Sequence, residues 1–338
     1  MTINHLEETI MERNIFTKAF LALLLCVSLF PFVADAEIRG DIIPDNKVTI
    51  EDVVSLIDYL LQDVREIRAD VNSDAKIDIN DVTTLIDYLL TGEWDYGYSA
   101  PEIPDNAEVF TVNGVMFAMI LVEGADNINP DSGYQSDTNG SVSMGDFYMG
   151  QTEVTYALWS AVMGTPIEPT LTVPNEPSPM QPVECVAWEE CQEFISRLNE
   201  LTGREFHLPT VAQWRWAKCG GIHSQHYRYA GSDDVDEVAW VLTNRPYLCH
   251  SGMTLPVGLK KPNEIGLYDM NGNVREYTHN CRASEGDHLI DPQPWDYSIE
   301  AMGGSTDDTP TVSRWETLDV NKRTRYGLVG MRLALQKD

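Results

Sequence analysis

Apolar residues recur at helical spacing twice near the start of the chain, and the order then breaks into shorter pieces. Val53, Leu56, Ile57 and Leu60 share one face of a predicted helix, and Val82, Leu85, Ile86 and Leu89 share one face of a second. The hexapeptide Leu-Ile-Asp-Tyr-Leu-Leu stands in both, at 56–61 and 85–90, so one unit is used twice at a spacing of 29 residues. Neither helix is long enough to be stable alone, but two stacked antiparallel bury a shared stripe. Residues 108–122 alternate around Asn113-Gly114, a hairpin signal. Thr155–Met163 reads as a helix stopped by Gly164. Another opens at Trp188, with Cys191, Phe194, Ile195, Leu198 and Leu201 as its stripe and Gly203 as its end. A third begins at Thr210, where Gln213 is placed for a capping box. Short apolar pieces between Gly, Pro and Asn follow, which predicts a loop-rich α+β domain rather than a regular α/β repeat.

Acidic residues change the picture at the repeats. Each helix follows a loop, Asp41 to Asp52 and Asp70 to Asp81, with oxygen donors at alternate positions. Calcium takes six to eight oxygens, and a twelve-residue loop supplies them from such positions. The second loop offers Asp70, Asn72, Asp74, the Lys76 carbonyl, Asp78 and Asp81, a complete set. The first offers Asp41, Asp45, the Lys47 carbonyl and Asp52, but Ile43 cannot ligate and Thr49 is a weak donor. One good site and one weak or empty site are expected. The sixth position holds Asn46 and Ala75 rather than Gly, and alanine tolerates a left-handed turn badly. The plain alternative is a pair of helices with solvated acidic caps. Residues 37–94 resemble a type I dockerin. That resemblance implies a small all-α calcium-loop module and a cohesin-like partner facing Ile50, Glu51, Ile79 and Asn80; a spacer within the chain is the other reading.

Residues 1–36 read as a signal peptide. Arg13 and Lys18 precede an apolar run from Ala19 to Phe30, and Ala34-Asp35-Ala36 offers a cleavage site. The expected location is secreted, periplasmic or cell-surface after cleavage near Ala36. No later stretch suits a membrane span. The net charge of −30, from 53 acidic and 23 basic residues, repels phosphate backbones and anionic lipid, which argues against nucleic-acid and membrane-surface roles and favours divalent cations. Beyond the leader stand Cys185, Cys191, Cys219, Cys249 and Cys281, an odd number with no zinc-type spacing. A Gly-, Pro- and Tyr-rich run marks a linker at 95–107, leaving 108–338 as one large domain.

Within that domain, Asp269-x-Asn271-Gly272-Asn273-x-x-Glu276 gathers oxygen donors around a tight turn, which suits calcium; an Asn-Gly turn with solvated acids is the alternative. His223, His226, His250 and His279 show no metal-binding order. The blocks GVMFAMILVEG, FYMGQTEVTYALWSAVMG, PVECVAW, FHLPTVAQWRWAKCGG, PVGLKKPNEIGLYDMNGNVREY, AMGGS and GLVGMRL follow in order. Together they resemble the sulfatase-modifying-factor family, whose founding activity is the formylglycine-generating enzyme. The resemblance implies a C-type-lectin-like formylglycine-generating-enzyme fold with little regular structure. It also implies a calcium site of Asp269, the Gly272 and Val274 carbonyls, and Glu276.

The family's oxidase holds copper between two cysteines, and their positions here are Asp308 and Ser313. Neither replaces a thiolate on Cu(I). Ser305 matches the family's active-site serine. The aromatic wall of the family's pocket becomes Arg275 and Tyr277, and the arginine of its RLPT turn becomes His207. Arg275, Ser305 and Asp308 are expected to line a ligand groove, and a guanidinium fork there favours an anionic ligand. The resulting expectation is a secreted calcium-binding protein whose domain is non-catalytic and binds a peptide, protein or glycan, tethered through the dockerin-like module. The alternatives are an oxidoreductase with a different metal centre, or an accessory subunit of a polysaccharide-degrading assembly.

Overall fold

A computed structural model describes residues 40–45, 47–62, 64, 69–72, 76–91, 101–128, 141–165, 178–245, 253–279, 288–290, 299–311 and 318–337. Residues 1–36, read from sequence as a signal peptide, Asp74, Cys249, Cys281 and Ser313 lie outside the described residues. No helix among the described residues is long and apolar enough to cross a membrane.

The repeats fold as helix α1 (Ile50–Leu61) and helix α2 (Ile79–Thr91). Their shared core is narrower than the periodicity predicts. Val53, Leu56, Val82 and Leu85 are buried with Ile42, Ala69 and Val71 from the loops. Ile57, Ile86 and Leu89 are exposed instead. Two helices make one contact line, and the loop residues Ile42 and Val71 close over it, so the outer half of each apolar stripe faces solvent.

The large domain opens with β1 (Ala107–Val112) and β2 (Val115–Val122), paired antiparallel with Val112 opposite Val115. Asn113 and Gly114 both take positive φ, 49° and 87°, as a two-residue turn of primed type requires. β3 (Ala125–Ile128), β4 (Ser141–Met144) and β5 (Phe147–Gly150) follow. Then come helices α3 (Tyr156–Met163) and α4 (Trp188–Thr202), ended by left-handed Gly164 and Gly203. β6 (Phe206–His207) leads into α5 (Val211–Lys218). Thr210 Oγ1 accepts from Gln213 N at 3.2 Å and Gln213 Oε1 from Thr210 N at 2.9 Å, the predicted capping box. α6 (Val235–Val238) is one turn. β7 (Arg275–His279), β8 (His288–Ile290), β9 (Ile299–Met302), β10 (Leu318–Asp319), β11 (Val329–Gly330) and β12 (Ala334–Gln336) complete the order.

Among the described residues the strands form three sheets, in the orders β1-β2-β5-β12-β6, β10-β9-β7-β11 and β3-β4-β8. Long loops join them, so the domain is a mixed helix–sheet fold, as the broken periodicity predicts. α4 packs Cys191, Phe194, Ile195 and Leu198 into the main core, while Leu201 is exposed, because it falls past the helix's contact with the sheet. Trp159 stacks on Phe194 at 5.1 Å, locking α3 to α4. Tyr277 is also in this core: its hydroxyl donates to the Val186 carbonyl at 2.9 Å, so it is not a groove wall. Cys185 and Cys191 are free thiols.

Candidate functional site

The three predicted groove residues come together. β7 begins at Arg275, and the turn after β9 presents Ser305 to Asp308. That turn is pinned to the Asp269–Glu276 loop: Gly272 N donates to Gly303 O at 2.8 Å, and Thr306 N to Asn273 O at 3.1 Å. Arg275 Nε and Nη2 donate to the two Asp308 oxygens at 3.0 and 2.6 Å. Ser305 Oγ donates to Asp308 Oδ2 at 2.7 Å. Arg245 pairs with neighbouring Asp307. The predicted free fork of Arg275 is therefore spent on an acid of its own surface. Both partners are 16% exposed, so the bidentate pair is partly shielded from water. Ser305 thus hydrogen-bonds to a carboxylate already paired with a guanidinium. The three side chains hold one another in a fixed arrangement.

Copper does not fit this turn. Cu(I) needs soft thiolates, and the first family cysteine position is a carboxylate committed to Arg275 and Ser305.

Next to the Arg275–Asp308 pair along β7 lies a buried charge cluster that the motif only half revealed. Glu276 is fully buried, and both its oxygens are taken. Arg332 reaches them through Nε and Nη2, at 2.6 to 3.0 Å, and Trp214 Nε1 donates to Oε2 at 2.6 Å. Arg332 Nη1 also donates to Gly150 O and Nη2 to Tyr268 O. Glu276 therefore faces a guanidinium on both oxygens. Asp269 Oδ2 accepts from Gly258 N at 2.6 Å, while its buried Oδ1 has no partner. Glu153, after β5, accepts from Val274 N at 3.3 Å and Asn273 Nδ2 at 3.4 Å. Gly272 is obligatory: its φ is +78°, and a Cβ there would sit 2.0 Å from Trp240 O. Among the described residues no three His, Cys, Asp or Glu side chains are grouped as a metal cage. A cation at this loop would rest on Asp269 Oδ1 and main-chain carbonyls.

Glu153, Asp269 and Glu276 share one guanidinium. Burial, then the neighbouring carboxylates, push the Glu153 carboxyl well above its ordinary range. Burial pushes Asp269 from 3.8 up to about 6, with Glu276 adding to the rise. An acid with a raised folded pKa stabilises fully below its unfolded pKa and loses that contribution as pH rises through its folded one. We expect stability in chelator to decline between pH 4 and 7 at this locus, and Asp269→Asn to flatten the decline in urea titrations. An unchanged slope in Asp269→Asn refutes the assignment.

In the repeats, both loops wrap their twelfth-position carboxylate identically. Asp52 accepts from Ile43 N at 2.9 Å and Thr49 N at 2.7 Å; Asp81 accepts from Asn72 N at 3.1 Å and Asp78 N at 2.8 Å. Asp41 Oδ1 accepts from Asp45 N at 3.1 Å, and Asp45 is exposed. Asp41, Asn72, Asp52 and Asp81 are buried, while Asp70 and Asp78 are half-buried and Lys76 is exposed. Ile43 turns its side chain outward. Ile50, Glu51, Ile79 and Asn80 are all exposed. Sequence reasoning missed Glu153, Arg332 and Trp214 as partners of the loop; the signal available was a lone arginine in an apolar run, Gly330-Met331-Arg332-Leu333. His223 pairs with Glu123 at 2.9 Å, and His279 packs edge-on to Trp188.

Residues 104–337 match the family described as sulfatase-modifying factor enzyme 1-like domain. The chain is 32% identical over 208 residues to chaperone protein LppX of Paenibacillus barcinonensis, covering 47% of this chain and 70% of that one. Among solved structures it resembles Treponema denticola variable protein 1, at 24% identity and a TM-score of 0.57, covering 69% of this chain and all of that one. It also resembles PvdO from Pseudomonas aeruginosa, at 18% identity and a TM-score of 0.52, again covering 69% and 100%. These two likenesses bear on the fold alone. From residue 104 to residue 337, the chain belongs to the sulfatase-modifying factor enzyme 1-like domain family.

Proposed function

We propose that the large domain is a non-catalytic, secreted binding member of its family, tethered by a dockerin-like calcium module. The observation that carries this is the Arg275–Asp308–Ser305 cluster: where the family's copper thiolate belongs, a carboxylate is locked to a guanidinium and a hydroxyl. The ligand is a peptide, protein or glycan held at the rim of that cluster. The name of the Paenibacillus relative, a chaperone, favours a polypeptide. Because Arg275 is paired with Asp308, it contributes a rigid wall and its three remaining N–H donors rather than a free charge. Calcium belongs first to Asp70–Asp81, with the Asp41–Asp52 loop weaker, and Asp269 Oδ1 supplies the donor for a cation in the large domain. The tether's face is supported by Ile50, Val54 and Leu61 on α1 and Ile79 and Leu90 on α2, all exposed and apolar. Such a stripe suits a cohesin-like partner.

Incubated with a sulfatase-motif peptide, copper and oxygen, the full chain is expected to leave the peptide cysteine unchanged by mass. Conversion of that cysteine to formylglycine overturns the reading. Asp308→Cys with Ser313→Cys is expected not to restore activity, since it strips Arg275 of its carboxylate. Loss of that pair alone is expected to cost about 2 kcal/mol, the worth of hydrogen bonds to a charged group in a partly shielded site.

A further inference from the structure

β2 is longer than the strand beside it. β5 pairs only with Met119 to Val122, and one more bond, Gln151 N to Ala118 O at 2.9 Å, ends the ladder. On the other side, Leu121 N donates to Asn106 O at 3.2 Å, so odd-numbered residues of β2 face β1. By the alternation of an antiparallel ladder, Met116 turns its N–H and C=O toward the β5 side, as Ala118 does. There the chain after Gln151 has already left: Val154 N donates to Met331 O and Val183 N to Val154 O. In the gap lies a cavity of about 290 Å³, lined by Ile103, Met116, Thr152, Leu158, Met180 and Val257 among others. Gln151 Nε2 donates to Glu102 O at 2.7 Å and ties the 101–103 segment along its rim.

A strand edge with no partner strand among the described residues, beside a mainly apolar pit, has the two parts of a strand-addition site: main-chain bonds for affinity and a pocket for one side chain. The lining contains no cation and one acid, Glu153, and in the chain the lining residue Ile103 stands between exposed Glu102 and Asp105. The chain as a whole carries −30. We propose that this gap is a second binding site, apart from the Ser305 groove, which takes an extended basic peptide strand against Met116 and buries one large apolar side chain in the cavity.

The test uses the full chain and the peptide Ac-Lys-Val-Phe-Val-Lys-NH2 in calorimetry, with a fully N-methylated copy and an acidic copy, Ac-Glu-Val-Phe-Val-Glu-NH2. The expected result is binding of the basic peptide, weakened at least tenfold by N-methylation and by the acidic ends, together with slower hydrogen exchange at the Met116 amide. Thr152→Trp fills the cavity and is expected to weaken binding at least tenfold. Ile103→Asp, at an exposed rim position, is expected to weaken it without disturbing the fold. The proposal is overturned by no binding at millimolar peptide, by equal binding of the N-methylated or acidic copy, or by binding that ignores both variants. It is also overturned if sedimentation shows a dimer that both variants dissociate, because the occupant is then a second copy of this chain.

Discussion

Replacing Arg332 with methionine is expected to destabilise the large domain by about 3–5 kcal/mol, the cost of leaving a buried partner charge uncompensated. Arg332 is fully buried, and four of its five N–H donors are used: two on Glu276, one on Gly150 O and one on Tyr268 O. Its removal leaves Glu276 beside Glu153 and Asp269 without the guanidinium that offsets them. Burial alone would lower the guanidinium's proton affinity, but Glu276, Glu153 and Asp269 together raise it, so the charge is held. Arg332→Met with Glu276→Gln is expected to recover part of the loss, since glutamine still accepts from Trp214 Nε1 and brings no charge. Chemical denaturation of the two single variants and the double supplies a mutant cycle. A cost below about 1 kcal/mol in Arg332→Met means that the acids are protonated or hydrated instead, and this account of the core is then wrong.

Calcium is expected to bind the full chain with its strongest site in the second repeat. Asp70→Ala should remove that site from calorimetry, whereas Asp41→Ala should change the isotherm little. Folded-state binding stabilises by mass action, about 2.7 kcal/mol at a hundredfold excess over Kd. The melting of the repeats should therefore rise with calcium in the parent and in Asp41→Ala, and not in Asp70→Ala. The reason is chemical rather than geometric. Both loops wrap Asp52 and Asp81 with the same backbone donors, so the scaffold is the same. Only the donors differ: Ile43 and Thr49 stand where the second loop has Asn72 and Asp78. Equal loss from the two variants defeats this reading.

Some features are set by residues within a few positions of one another, and those were readable from sequence. The Asn113-Gly114 turn, the Gly164 and Gly203 helix stops and the Thr210 capping box each depend on backbone sterics or on one nearby side chain, and each forms as expected. The repeat, with both acidic loops and their twelfth-position carboxylates, is local in the same sense. The family is legible too, because its blocks keep their order even where site residues change.

Tertiary structure decided which groups the ordered loops face. Arg275 and Asp308 lie 33 positions apart, and nothing local shows that the two replacements in the family's pocket meet and neutralise each other. Glu276 lies in a motif that reads as a calcium ligand, yet it is claimed by Arg332, 56 positions on, and by Trp214, 62 positions back. Tyr277, two residues on from Arg275 and on the same face of β7, is buried where the main core covers that face, while Arg275 at the start of the strand stays half-buried at its edge. The unpaired edge at Met116 depends on where β5 ends, which strand composition does not specify. A sequence fixes the chemistry that each position can offer; which partner claims a carboxylate or a strand edge is settled by distance in the folded chain, where a buried charge must find its counter-charge or lose several kcal/mol.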